Sequence, residues 1–248
     1  MRYLILSDVH SNLEALEKCL TLTEGRYDRA LCLGDLAGYG PDPNAVIERI
    51  RLLAHVIVRG NHDKACCGLM DPEDFNSLAR LAAEWTRSQL TPEHFNFLRS
   101  LPEGPIAVDG FELVHGSPAN EDEYIFDSLE AVRAFSAMAS PLVFFGHTHR
   151  QGGFLLTTDH RFKPVMTPPI NDDEPTSFPL GPDARYLINP GSIGQPRDGD
   201  WRAGFAIFDS DERRIDFYRT PYDLELTQQK MRQAGLPEPL VTRLEAGR

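Results

Sequence analysis

Basic residues are in short supply. The 248-residue chain has 25 Lys and Arg against 37 Asp and Glu, a formal net charge of −12. A protein that coats a nucleic-acid backbone needs a basic face to neutralise phosphates, so this balance argues against nucleic acid as a partner. It does not bar a small phosphorylated substrate, provided that something local inverts the field. Cysteine is scarce as well: Cys19, Cys32, Cys66 and Cys67 are too few for a disulfide framework in a chain of this size. Cys19 and Cys32 lie in apolar contexts that suit buried thiols. Adjacent cysteines rarely bridge each other, so Cys66 and Cys67 are expected to be reduced. No apolar run approaches the roughly 20 residues of a membrane helix. The opening MRYLILSDVH has an apolar core of only four residues, too short for a signal peptide. These absences lead to an expectation of a cytoplasmic protein without a membrane partner; nothing in the sequence specifies an oligomeric state.

What is present is ordinary globular composition, 41% hydrophobic and 25% charged, in a length that suits one domain over residues 1–248. Strand-like runs recur, each closed by a polar or glycine-rich turn: RYLILS into Asp8, RALCLG into Asp35, HVIVRG into Asn61, FELVHG with His115, and PLVFFG into His147. Amphipathic patterns at 12–23 and 43–54 lie between the early strands, with Asn12 and Asp42 as expected caps. This alternation predicts parallel strands with helical crossovers, an α/β fold. Two helices are predicted across 71–100 and one across about 221–235. GGFLLTT, RFKPVM, RYLINPGS, RAGFAIFD and RRIDFYRT predict short antiparallel strands, and the Pro-rich acidic stretch 167–183 predicts a surface loop or lid.

The ends of the strands are where chemistry accumulates. Asp8, His10, Asp35, Asn61, His115, His147 and His149 all follow predicted strands closely, and ligand sites in α/β sheets lie beyond the carboxyl ends of strands. Seven N and O donors are too many for one tetrahedral ion. Two ions sharing a bridging carboxylate would use them all, with His147 and His149 on different ions. Imidazole, carboxylate and amide oxygen without thiolate suit Mn, Fe, Zn, Co or Ni.

D-x-H at 8–10, G-D-x-x-G at 34–38, G-N-H-D at 60–63, His115 and G-H-x-H at 146–149 together resemble the calcineurin-like metallophosphoesterase superfamily, and NPGS at 189–192 resembles a further block of its phosphodiesterase branch. The resemblance implies a four-layer α-β-β-α sandwich with two mixed β-sheets. It implies Asp8, His10, Asp35 and His149 on one metal, a bridging Asp35, and Asn61, His115 and His147 on the second. It also implies that His62 contacts substrate as a proton donor or electrostatic stabiliser. Asp63 is read as a supporting or turn residue, and His55, His94 and His160 as surface or loop histidines. Arg150 and Arg197 are candidate phosphate contacts or structural salt bridges; Tyr39 lines the site or packs beneath it.

Two such ions form a clamp for in-line displacement at phosphorus, with a bridging hydroxide as the nucleophile. The expected reaction is therefore phosphate-ester hydrolysis. The chain departs from the G-D-x-x-D-R-G and G-N-H-E of the superfamily's protein phosphatases, with GDLAGYG and GNHD instead. That favours a phosphodiesterase over a phosphomonoesterase, a protein phosphatase or a dinucleoside-polyphosphate hydrolase. A non-catalytic scaffold of the same fold would be expected to have lost ligands, and here all seven and His62 are kept.

Overall fold

The computed structural model describes residues 1–167 and 170–248. The first half runs β1 (Arg2–Leu6), α1 (Leu13–Thr23), β2 (Arg29–Cys32), α2 (Pro43–Leu53), β3 (Ala54–Ile57) and α3 (Asn61–Cys66). A 3₁₀ turn (Pro72–Asp74), α4 (Ser77–Gln89), α5 (Pro92–Ser100), β4 (Ile106–Val108), β5 (Phe111–Leu113) and α6 (Ser128–Ala137) follow. Then come β6 (Leu142–Phe144), β7 (Gly152–Thr157), β8 (Phe162–Val165), β9 (Thr176–Pro179) and β10 (Ala184–Asn189). The chain closes with β11 (Ala203–Asp209), β12 (Arg214–Thr220), α7 (Leu224–Gln233) and α8 (Glu238–Arg243).

The strands form two mixed six-stranded sheets, ordered β3-β2-β1-β11-β12-β9 and β4-β5-β6-β10-β7-β8. Side chains on a strand alternate between faces, and here each face finds its own partner layer. In β1, Tyr3 and Ile5 pack between the sheets with Phe111, Phe144 and Phe208. Leu4 and Leu6 point the other way, onto Leu16 of α1 and Val46, Ile47 and Ile50 of α2. In the second sheet Leu142 and Phe144 join the inter-sheet core, while Val143 and Phe145 meet Ala131, Ala134 and Phe135 of α6. Helix, sheet, sheet and helix are thus stacked in four layers, as the resemblance implied.

Several sequence expectations change in detail. Asn12 does cap α1, accepting the Ala15 N–H at 3.2 Å. Asp42 does occupy the N-cap position of α2 but makes no side-chain cap bond; its carboxylate takes Lys230 Nζ at 2.9 Å instead. The stretch 167–183, expected as a loop or lid, contains β9, which pairs antiparallel with β12; Pro168 and Pro169 of that stretch lie outside the described residues. As an edge strand, β9 tolerates Pro179, whose missing N–H would interrupt a central ladder. Strand β10, expected to be antiparallel, runs parallel to β6 and antiparallel to β7. The C-terminal region holds two helices where one was expected. No helix among the described residues is long and apolar enough to cross a membrane.

Candidate metal centre

Strands β1, β2 and β3 of one sheet and β5 and β6 of the other end at the same edge of the sandwich. Their loops are interlocked by backbone bonds: Asp8 N to Gly34 O at 3.1 Å, His10 N to Asp35 O at 2.9 Å, and Gly146 N to His115 O at 2.8 Å. Asp8, His10, Asp35, His147 and His149 all adopt positive φ, between 46° and 64°. Left-handed backbone costs non-glycine residues free energy and concentrates at functional sites. Here the interlocked loops hold it in place. Gly60 permits a close approach of two loops, because a Cβ there would clash with the Asp35 carboxylate.

The seven residues predicted from the motifs are brought together, and all are buried. Asp8, His10, Asp35 and His149 each offer a ligand atom within 4.8 Å of the others, and Asp35, His115 and His147 form a second such group. Asp35 belongs to both. Its Oδ1 accepts the His62 N–H at 2.8 Å. Its buried Oδ2 has no hydrogen-bond partner and lies 3.5 Å from His10 Nε2 and 3.4 Å from His115 Nε2. The Asn61 Oδ1 is 3.1 Å from His115 Nε2, which adds the amide oxygen to the second group.

Each ring is anchored by one nitrogen so that the other faces inward. His10, His115 and His149 use Nδ1 to donate to the carbonyls of Ala37, Leu33 and Gln195 at 3.0, 2.8 and 2.6 Å. His147 donates from Nε2 to the Asp122 carbonyl at 3.2 Å, leaving Nδ1. A metal-ligating histidine characteristically donates its second N–H in this way, which sets its tautomer. Burial pushes His10, His147 and His149 well below the usual histidine range, so they offer lone pairs. Burial opposes charge on His115 too, yet Asp35, with Asp8 behind it, pushes it up to about 10. Asp8 itself is raised to about 6, by burial and by Asp35 against the pull of His115. Buried carboxylates that repel, an orphaned oxygen and lone pairs aimed at one another all fit a pair of divalent cations.

Asp63 is confirmed as a support: its carboxylate accepts the N–H groups of Asp35, Leu36, Ala37 and Gly60 at 2.8–3.2 Å. The centre opens into a cavity of about 360 Å³ lined by Tyr39, Asn61, His62, Phe75, Tyr124, His147 and Arg197, among others. His62 is packed against Tyr39 and Phe75, with ring centroids 4.4 and 4.6 Å away. Arg150, the other phosphate candidate, is not at the cavity; its guanidinium lies over Phe126 at 5.1 Å. His55 and His160 are exposed. His94, expected at the surface, is instead buried and held by Asn44 Oδ1 at 2.8 Å.

Tyr124 and Lys64 were not visible as site residues in the sequence. The Tyr124 ring stacks on His147 at 3.7 Å. Lys64 Nζ donates to Glu121 at 2.8 Å and to both Asp122 oxygens at 2.6 Å. It thereby holds the segment that supplies both the stacked ring and the carbonyl anchoring His147. Lys64→Met should cost about 2 kcal/mol of stability. It should also weaken a metal at the Asn61–His115–His147 group about tenfold, as loss of an orienting partner typically does. Metal titration would show one weakened site and one unaffected; equal weakening of both would discount this route.

Known proteins resemble this chain over most or all of its length. Residues 1–213 match the calcineurin-like phosphoesterase superfamily domain. The uncharacterized protein MJ0912 of Methanocaldococcus jannaschii is 36% identical over 257 residues, spanning 98% of this chain and 97% of that protein. A metallophosphoesterase from Sphaerobacter thermophilus is 44% identical, with a TM-score of 0.85 and coverage of 100% of this chain and 99% of that one. The hypothetical protein PH1004 from Pyrococcus horikoshii OT3, 20% identical, shares the fold with a TM-score of 0.75 over 100% of this chain and 98% of its own.

Proposed function

Since the chain belongs to the calcineurin-like phosphoesterase superfamily, we propose that it hydrolyses phosphate esters at the Asp–His centre, with phosphodiesters as its preferred substrates. The observation that carries this reading is Asp35, shared by two ligand groups with one buried oxygen left unpartnered. Asp8, His10, Asp35 and His149 would hold one divalent ion, and Asp35, Asn61, His115 and His147 the other. Such ions supply Lewis-acid polarisation of a phosphoryl oxygen and acidify water.

The remaining roles belong to the chain. The neutral rings of His10, His147 and His149 offer lone pairs without first losing a proton. His62 faces the cavity as a donor toward the ester, Arg197 supplies a fixed positive charge to the phosphate, and Tyr39 shapes the wall between them. The local positive charge counts for more than the diffuse −12, which salt screens over about 8–10 Å. Preference for diesters is supported by GDLAGYG and GNHD, which depart from the protein-phosphatase pattern.

Metal-stripped protein, reloaded in turn with Mn, Fe, Zn, Co and Ni, tests this with bis(p-nitrophenyl) phosphate and p-nitrophenyl phosphate. The diester should show kcat/KM at least about tenfold higher, a difference of ~1.4 kcal/mol in transition-state stabilisation. Chelation should abolish turnover and added metal restore it. A reversed preference would transfer the assignment to monoesters. No turnover of either ester at full metal occupancy would return the scaffold reading.

A further inference from the structure

Arg197 lines the cavity, with Nε and Nη2 donating to Gln195 Oε1 at 3.3 and 2.7 Å. Its guanidinium lies over the Tyr39 ring at 5.5 Å. A second guanidinium, that of Arg243, stands 6.0 Å from the same ring. Arg243 comes from α8, beyond the residues matched to the family, and its Nε donates to the main-chain oxygen of Arg248. The seating is firm, since Leu240 and Leu244 of α8 pack with Tyr39 and with Ala79 of α4.

Among the described residues neither arginine meets a side-chain carboxylate. The contrast is local: Asp198, adjacent to Arg197, pairs with Arg219, and Arg202 takes Asp172 and Asp200. Two half-buried cations share one aromatic ring, and burial together with Arg197 lowers Arg243 below the usual guanidinium range. Placing like charges together with no side-chain carboxylate beside them is unfavourable until an anion joins them. Arg197 lines the cavity, and the Arg243 guanidinium lies beyond that lining over the same Tyr39 ring, so one cation is nearer the reacting end and the other further out. Of the carboxylates that line the cavity, Asp122 is held by Lys64.

We propose that Arg197 and Arg243 form a subsite for a second anionic group of the substrate, making the favoured substrate a phosphate ester or phosphoanhydride that bears a further phosphoryl group outside the scissile one. This rests on the phosphoesterase reading of the same cavity. Guanidinium–phosphate contacts are charge-assisted and directional, and bidentate geometry suits arginine over lysine.

The test measures binding, not turnover. Inorganic phosphate and methylenediphosphonate, a non-hydrolysable probe with two phosphoryl groups, are titrated calorimetrically into metal-loaded protein with free metal held constant. Wild type should bind the diphosphonate at least about tenfold more tightly than phosphate, and Arg243→Gln should remove about tenfold from the diphosphonate and less than about threefold from phosphate. Equal losses for both ligands, or no loss, would overturn the subsite. Should Arg243→Gln fail to fold, Arg243→Lys keeps stem and charge and should narrow the preference about threefold; an unchanged preference would equally overturn it. Tight, Arg243-dependent diphosphonate binding without esterase activity would remove the hydrolytic reading and leave the subsite standing. Turnover with no diphosphonate preference would do the reverse.

Discussion

Asp35→Asn should reduce bound metal from two ions to fewer than one per chain and lower phosphoesterase activity by about 10³-fold or more. The magnitude follows from the several kcal/mol of charge stabilisation that a metal pair supplies at a phosphoryl group. Asp35 is the residue common to both ligand groups, so its loss acts on two sites where any other single substitution acts on one. The amide is nearly isosteric and can still accept the His62 N–H that Oδ1 accepts at 2.8 Å. Its –NH₂ can meet the lone pair of a neighbouring imidazole in place of the orphaned Oδ2. Folding should therefore survive, and the metal-dependent rise in Tm, which exists only while the native state binds ions, should disappear. Elemental analysis and a melting curve with and without metal check both statements. Two ions retained at wild-type affinity would contradict a shared carboxylate.

The site was legible because its donors sit immediately after strands, where an apolar run stops and a glycine or a polar pair begins. Other parts were hidden for physical reasons. Helix α6 exposes Leu129 and Val132, 62% and 49% accessible, while burying Ala131 and Phe135, so apolar residues on both faces blur its period. Strand β9 has a partner on one side only and lies in a stretch whose prolines and acids spell loop. Nearness to a motif did not tell Arg150 from Arg197. Arg150 follows His149 directly yet turns out over Phe126. Arg197 returns to the centre because its backbone N–H bonds the His149 carbonyl at 3.1 Å and the Gln195 carbonyl accepts the His149 ring at 2.6 Å. Tyr124 reaches the site through tertiary packing, stacked on His147, which has no local signature.

His62→Ala should retain both metals and slow alkyl and p-nitrophenyl esters by similar factors, about 10²-fold. The sequence left two roles open for this ring, and its surroundings separate them. Nδ1 is buried without a partner, pressed so close to Gly38 that a Cβ there would stand 2.6 Å from it. A buried lone pair is tolerable; a buried N–H with no acceptor is costly. The favoured tautomer therefore has its proton on Nε2, and the imidazolium is disfavoured because it would add an unsatisfied Nδ1–H. Burial acts in the same direction, lowering His62 to about 4 against the opposing pull of Asp35, and cations at the centre would lower it further. A group with its folded pKa depressed in this way is neutral across pH 6–8. The ring is then a hydrogen-bond donor to a phosphoryl oxygen and a poor source of a proton for the leaving group. Charge on the phosphoryl oxygens develops with either ester, so both should slow alike. Much greater slowing of the alkyl ester, whose alkoxide needs a proton that p-nitrophenolate does not, would establish proton donation and overturn this account; loss of metal from the variant would make His62 a ligand.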